Sequence, residues 1–156
     1  MIDDIQVRPL LVDDLQSASQ LCLDAFLQSI APTLGAEGIQ TFRAIAHVDA
    51  FAARMQQDNC MLLAETAGRA AGLIELKQGR HIAMLFIAPE QQRRGVGRRL
   101  LAEAVKQARC EQLSVSASLP SVPAYLRYGF LRNGEVGESA GLIYQPMQLQ
   151  LPPSSA

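Results

Sequence analysis

Cysteine is scarce in this chain. The three present, Cys22, Cys60 and Cys110, are odd in number and far apart, and no C-x-x-C pair occurs. The two histidines, His47 and His81, stand alone. This pattern argues against a disulfide framework and against a metal site; it fits small buried hydrophobes in a reducing cytosol. No stretch approaches the ~18 consecutive apolar residues of a membrane helix, so no membrane partner is expected. The N-terminus, MIDDIQVRPL, lacks the basic and apolar regions of a secretory signal. Cytoplasmic localisation is the resulting expectation. An excess of either charge is missing too: 14 Lys and Arg stand against 15 Asp and Glu, a formal net charge of −1, so no global field draws the chain to nucleic acid. There is no low-complexity tract and no repeat period. No Ser-His-Asp or Cys-His spacing supports a covalent nucleophile.

What remains is a chain of 156 residues, nearly half of them hydrophobic, which is enough for one domain with its own core. Residues 1–151 are read as that domain and 152–156 as a disordered tail. Its organising stretch is Met84 to Ala108, MLFIAPEQQRRGVGRRLLAEAVKQA. An apolar run, Ile82 to Ala88, ends at Pro89. A basic turn and the glycines Gly95 and Gly97 follow. Leu100, Leu101, Ala104, Val105 and Ala108 then recur at helical spacing. Strand, glycine turn and helix in this order leave unpaired backbone N–H groups at a helix start, where the helix dipole favours negative charge. Glycine lets the backbone approach a ligand closely. Arg93, Arg94 and Arg98 add donors suited to phosphate oxygens. The physical reading is a pyrophosphate cradle. The plainer alternative is a tight turn with a solvated basic face, but two glycines and three arginines exceed what a turn needs. A P-loop requires Lys and Ser/Thr after the second glycine, where Arg98 and Arg99 stand. The dinucleotide fingerprint requires a third glycine where Leu100 stands.

The rest of the chain reads in order as follows. Ile5 to Leu10 is a strand. A helix capped by Asp13 or Asp14 runs to about Ile30, stopped by Pro32. A second helical region spans about Ile39 to Gln57, with a break near His47. Cys60–Thr66 and Ala70–Lys77 form a hairpin about Ala67-Gly68-Arg69. Gln78-Gly79-Arg80 turns into the strand His81–Ala88, and the long helix ends near Arg109. Gln112–Ser118 alternates Leu113, Val115 and Ala117 against three serines and reads as a strand. Ser121–Tyr128 is a short helix stopped by Gly129. Phe130–Glu138 and Gly141–Leu151 make a closing antiparallel pair.

Gln92-Arg93-Arg94-Gly95-Val96-Gly97 matches the Q/R-x-x-G-x-G/A signature, and with its flanking strand and helix it resembles the GNAT superfamily of N-acetyltransferases. The resemblance extends over essentially the whole order of elements. A second stretch, VSASLPSVPAYLRYGF, supports it: Tyr125 falls at the family tyrosine, four residues before Gly129-Phe130. Ser118, Leu85-Phe86-Ile87 and the late Gly141-x-x-x-x-Pro146-Met147 resemble one bacterial branch. Many relatives carry Asn where Ser116 and Pro120 stand, so an Asn contact to the cofactor is not carried over.

The resemblance implies an α/β fold of the GNAT type, a mixed central sheet with two splayed strands flanked by helices. The gap between those strands admits the pantetheine arm of acetyl-CoA. It implies cofactor contacts from Leu85, Phe86, Ile87, Gln92, Arg93, Arg94, Gly95, Val96, Gly97, Arg98, Ser118 and Ser121, and no metal. Backbone N–H groups near Phe86 and Ile87 then orient the thioester and polarise its carbonyl. Tyr125 protonates the departing sulfur; a phenol with a reference pKa of ~10 keeps its proton at neutrality. The acceptor implied is a primary amine on a small molecule or peptide, attacked directly. Members of this family often dimerise, and a homodimer is carried as an open expectation. The strand His81–Ala88 contains no carboxylate, so the general base stays open. Glu75, on a neighbouring strand, is one candidate, its pKa raised on an apolar face. The alternative is Glu75 at a strand end, in solvent and paired with Arg80, with water as the proton relay. A non-catalytic acetyl-CoA sensor and a phosphate-binding α/β domain of other function are the rival readings.

Overall fold

The computed structural model describes residues 4–153. The order of elements is β1 (Ile5–Pro9), α1 (Leu15–Ser29), α2 (Ala36–Ile45), α3 (Val48–Met55), β2 (Asn59–Thr66), β3 (Arg69–Lys77), β4 (His81–Ile87), α4 (Val96–Val105), β5 (Gln112–Ser118), α5 (Val122–Arg127), β6 (Leu131–Arg132), β7 (Gly137–Ser139) and β8 (Leu142–Gln150). The strands form one open sheet in the order β1-β2-β3-β4-β5-β8-β6, with β7 also on β8. Every pairing is antiparallel except β4 with β5.

Helices cover the central strands on both faces, which explains their nearly continuous apolar sequences. On one face, Leu62, Ala64, Ile74, Leu76 and Ile82 meet Leu100, Leu101 and Ala104 of α4. On the other, Met61, Leu63, Leu73 and Met84 meet Ala18, Leu21, Cys22 and Phe26 of α1, with Phe42 of α2 and Phe51 of α3. Alternate residues of β2 therefore feed two different cores. Phe26 and Phe42 stack with their centroids 4.1 Å apart, fastening α2 to α1.

Several sequence expectations need correcting. A 3-10 turn, Val12–Asp14, precedes α1, and Asp14 does not cap that helix with its side chain. Its carboxylate instead accepts from the Leu11 N–H at 2.7 Å and from Arg8. The second helical region starts earlier, at Ala36, and breaks in two at the expected place. His47 has extended backbone angles and accepts the Asp49 N–H through its ring, which begins α3. The α4 helix stops at Val105, short of Arg109, because Gln107 and Ala108 make tighter turn bonds and the Arg109 N–H is drawn off to the Gly79 carbonyl. The closing pair is interrupted: β6 and β7 are separate short strands on β8. Between them Gly134 takes a φ of 111°, and its carbonyl accepts from the Gln145 amide. Only Cys22 is buried; Cys60 and Cys110 are half-buried, and the Cys110 thiol bonds the Gln112 carbonyl. Pro152 and Pro153 carry no regular structure. The remainder of the expected tail, 154–156, and the start of the expected domain, 1–3, lie outside the described residues.

Candidate active site

The sheet opens at one place. β4 and β5 pair only at His81↔Ser114 and Ile82↔Val115. Past that point all of β5 runs against β8, while β4 continues along β3. The edge of β4 from Ala83 to Ile87 is therefore without a strand partner on its β5 side. Across the β3–β4 ladder the Ala88 N–H bonds the Ala71 carbonyl at 2.8 Å. Antiparallel alternation then turns the Phe86 N–H toward β3 as well, leaving those of Leu85 and Ile87 to face the gap. This refines the expected pair of donors, Phe86 and Ile87.

The gap widens into a cleft of about 700 Å³, within the range of small-molecule sites. One wall is the start of α4. Arg93 and Gly95 both adopt left-handed backbone angles, with φ of 65° and 85°. Alternating left-handed residues curl the chain so that successive N–H groups converge. Gly95 is the N-cap and offers no side chain, so the first-turn donors of Val96, Gly97 and Arg98 stay open to the cleft. Beyond its own chain neighbours and helix backbone, no atom lies within 4 Å of a Cβ built on Gly95, so the backbone there borders open space. Among the described residues, the cations lining the cleft are Arg93, Arg98 and Arg127, and no Asp or Glu lines it. An anion suits that wall.

The opposite wall is α5. Its end forms a complete Schellman motif: the Phe130 N–H bonds the Tyr125 carbonyl at 2.9 Å and the Gly129 N–H bonds the Leu126 carbonyl at 3.1 Å. Gly129 takes a φ of 101°, which only glycine adopts without strain. The hydrophobic contact that accompanies the motif is Phe130 against Tyr125, edge to face at 5.2 Å. The four-residue spacing from Tyr125 to Gly129 is thus the geometry of a helix end, and it locks the ring of Tyr125 in place. Tyr125 is buried but lines the cleft. Burial above all, and then Tyr128, pushes its phenol well above the ordinary tyrosine value.

The structure brings together Leu85, Phe86, Ile87, Gln92, Arg93, Gly95, Val96, Gly97, Arg98, Ser121 and Tyr125 around this cleft. Arg94 and Ser118 are not on its lining. Ser118 lies one step behind, its hydroxyl 2.6 Å from that of Ser121. Glu75 does not line the cleft either. Its side chain is 1% exposed and faces the core under α1, where both carboxylate oxygens accept from the Arg54 Nε at 3.1 and 3.0 Å. The expected alternative, pairing with Arg80 in solvent, is also overturned, since Arg80 bonds Gln78. Burial raises the Glu75 pKa, and Arg54 opposes the shift. His81 is half-buried with its Nδ1 2.7 Å from the Ser114 hydroxyl, at the apex where the strands part. Burial and the nearby Arg80 and Lys77 hold it below the ordinary histidine value.

Sequence reasoning missed Tyr128 and the end of α1. Ala25, Ser29 and Ile30 form the third wall, with no motif to mark them. Tyr128 was discoverable, being the residue at the helix end just before the C-cap glycine.

A profile of the acetyltransferase (GNAT) domain matches residues 30–151, most of the chain. No curated protein matches the chain. Among solved structures, a GCN5-related N-acetyltransferase from Rhodopseudomonas palustris superposes with a TM-score of 0.82 at 24% identity, covering 97% of this chain and 99% of its own. The PaiA N-acetyltransferase from Thermoplasma acidophilum, solved with coenzyme A, gives 0.75 at 21% identity, with 95% and 99% covered. A ribosomal-protein-alanine N-acetyltransferase from Brucella melitensis gives 0.68 at 20% identity, with 94% and 99% covered. At these identities the likeness is one of fold.

Proposed function

The chain belongs to the GNAT family of acetyltransferases, and from that premise we propose that it transfers an acetyl group from acetyl-CoA to a primary amine of a small molecule or peptide by direct attack. The observation that carries the reading is the meeting, in one cleft, of an open strand edge, a bare helix N-terminus with two arginines, and a buried tyrosine. The residues fit the cofactor. The first-turn N–H groups of α4 with Arg93 and Arg98 suit a pyrophosphate. The open edge of β4 suits an extended arm with amides of its own, in the manner of a third strand entering the gap. The cofactor supplies an activated acyl group on a sulfur leaving group.

The chain's own residues do the following. The Leu85 and Ile87 N–H groups orient the carbonyl and hold the charge that develops on its oxygen. Tyr125 directs its hydroxyl toward the leaving sulfur. The raised pKa sharpens that role, because a thiol titrates near ~8.5 and a buried phenol well above it. Complete proton transfer from Tyr125 is therefore uphill, and its main contribution is a hydrogen bond to the developing thiolate, which takes its proton from water after it departs. With no carboxylate on the cleft lining among the described residues and Glu75 held in its ion pair, the amine loses its proton to water. Ser118, hydrogen-bonded to Ser121, positions that residue on the cofactor side, and Arg94 adds positive charge at the turn. We place the enzyme in the cytoplasm; no helix among the described residues is long and apolar enough to cross a membrane.

The test is coenzyme A release from acetyl-CoA across a panel of amines, with release in the absence of amine subtracted. Amine-dependent release by the wild-type protein, slowed roughly 10²-fold in Tyr125→Phe, is the expected result. Tight acetyl-CoA binding with no release for any amine would favour a sensor.

A further inference from the structure

We propose that Tyr128 is a binding residue, whose hydroxyl donates a hydrogen bond to the pyrophosphate of acetyl-CoA at the first turn of α4. The inference rests on the proposed cofactor and names a contact within it. Three observations converge. Tyr128 lines the cleft from the C-cap of α5, and its hydroxyl lies directly over Gly97: a Cβ built there overlaps the Tyr128 oxygen. Cα–Cβ bonds tilt toward a helix's N-terminus, so that oxygen is beside the open first-turn N–H groups, where the cradle would hold an anion. Second, the hydroxyl has no hydrogen-bond partner among the described residues. A half-buried phenol left unpaired in this way has a donor available to a ligand. Third, the ring is held from two sides. The Arg98 guanidinium lies 5.5 Å from its centroid, and Tyr125 meets it edge to face at 5.9 Å. Arg98 also donates to the Arg127 carbonyl at 3.3 Å, so one side chain spans from α4 to the end of α5.

The arrangement also explains why the second glycine of the signature must be glycine in this chain. Any side chain at position 97 would displace the Tyr128 hydroxyl from the helix end. The phenol keeps its proton, because burial raises its pKa against the pull of Arg98 and Arg127. It is therefore a neutral donor to an anionic acceptor, the stronger kind of hydrogen bond.

The experiment compares wild type with Tyr128→Phe and Tyr128→Leu by calorimetry, using acetyl-CoA, its 3′-dephospho form and S-acetylpantetheine, which lacks the pyrophosphate. Loss of a hydrogen bond to a charged group corresponds to roughly a 10- to 100-fold weaker Kd. Tyr128→Phe, which keeps the ring and its contacts, should show that loss for acetyl-CoA and equally for the dephospho form. Its affinity for S-acetylpantetheine, read by competition, should match wild type. Tyr128→Leu controls for the ring and should lose at least as much. Unchanged or tighter acetyl-CoA binding by Tyr128→Phe overturns the proposal, and tighter binding would make the ring an obstacle at the cradle. Equal losses for S-acetylpantetheine also overturn it, since the contact would then be to the arm. Failure of the wild-type protein to bind acetyl-CoA at all would instead reject the proposed cofactor.

Discussion

Removing Arg54 should destabilise the protein far more than neutralising Glu75, and neither change should touch the chemistry. Glu75 is 1% exposed while Arg54 keeps 22% of its side chain in solvent. Arg54 is otherwise well held: it donates to the Ile45 carbonyl at 2.9 Å and lies 4.8 Å from the Phe51 ring centre. Arg54→Met leaves a carboxylate with no counter-ion in the core, a change that costs about 3–5 kcal/mol. For a domain of this size that is roughly 6–20 °C in Tm. Glu75→Gln leaves a cation that can still reach water and a side chain that still accepts a hydrogen bond, so about 1–2 kcal/mol is expected. Arg54→Met with Glu75→Leu should recover most of the loss, because an apolar pair of similar volume carries no desolvation cost.

The pH dependence has a definite sign. The folded-state pKa of Glu75 is raised above its ordinary 4.5. Between those two values the folded protein binds more protons than the unfolded chain, so stability falls as pH rises. The contribution is complete below the unfolded pKa and is lost through the raised folded one. Arg54→Met should extend that falling region to higher pH, and Glu75→Gln should abolish it. Urea denaturation at a series of pH values measures all of this, alongside the pH profile of kcat/KM. Equal destabilisation by the two single variants would refute the buried-pair argument. A stable Glu75→Gln protein without the acidic limb of its rate profile would make Glu75 the base after all.

Other substitutions probe the cleft directly. Tyr125→Phe should lower kcat roughly 10²-fold with acetyl-CoA affinity intact; wild-type turnover, where chemistry limits the rate, would leave Tyr125 a packing residue. Gly97→Val drives a branched side chain into the Tyr128 hydroxyl and should weaken acetyl-CoA binding by roughly 10- to 100-fold by calorimetry on the folded variant. Unchanged affinity would remove the cradle. Gly129→Ala forces a left-handed alanine, costing about 1–2 kcal/mol, and its Cβ meets Leu149 at 3.3 Å; a Tm equal to wild type would contradict the Schellman account of α5. With water as base, the acidic limb of kcat/KM should move with the amine pKa when two acceptors are compared. A limb fixed in pH would reveal an enzyme base.

The parts of the site set by local chain geometry were legible in the sequence. Gly95 and Gly97 after an apolar strand announce a bare helix start, and Gly129-Phe130 announces the helix end that holds Tyr125. Alternation in Leu113, Val115 and Ala117 gave the inward face of β5. The parts set by distant pairing were not legible. Nothing near Glu75 in the sequence points to Arg54, 21 residues away, because α3 reaches β3 only through the tertiary fold. Nor does the sequence show which β4 N–H groups face the gap, since that depends on register with β3. The end of α1 joins the cleft by packing alone, so Ser29 and Ile30 carried no mark. The closing strands were misjudged for a similar reason: Gly134 and the Gln145 amide part β6 from β7, and one of the two residues lies on the partner strand.

The most direct test of the central claim is an amide NMR titration of uniformly ¹⁵N-labelled protein with coenzyme A. Saturable shifts are expected at the amides of Val96, Gly97 and Arg98 and at Leu85 and Ile87 on the open edge of β4. Amides of β1 and β2, toward the far edge of the sheet, should stay in place. Saturable shifts confined to other regions, or none in the cradle at millimolar ligand, would contradict the assignment of the cleft.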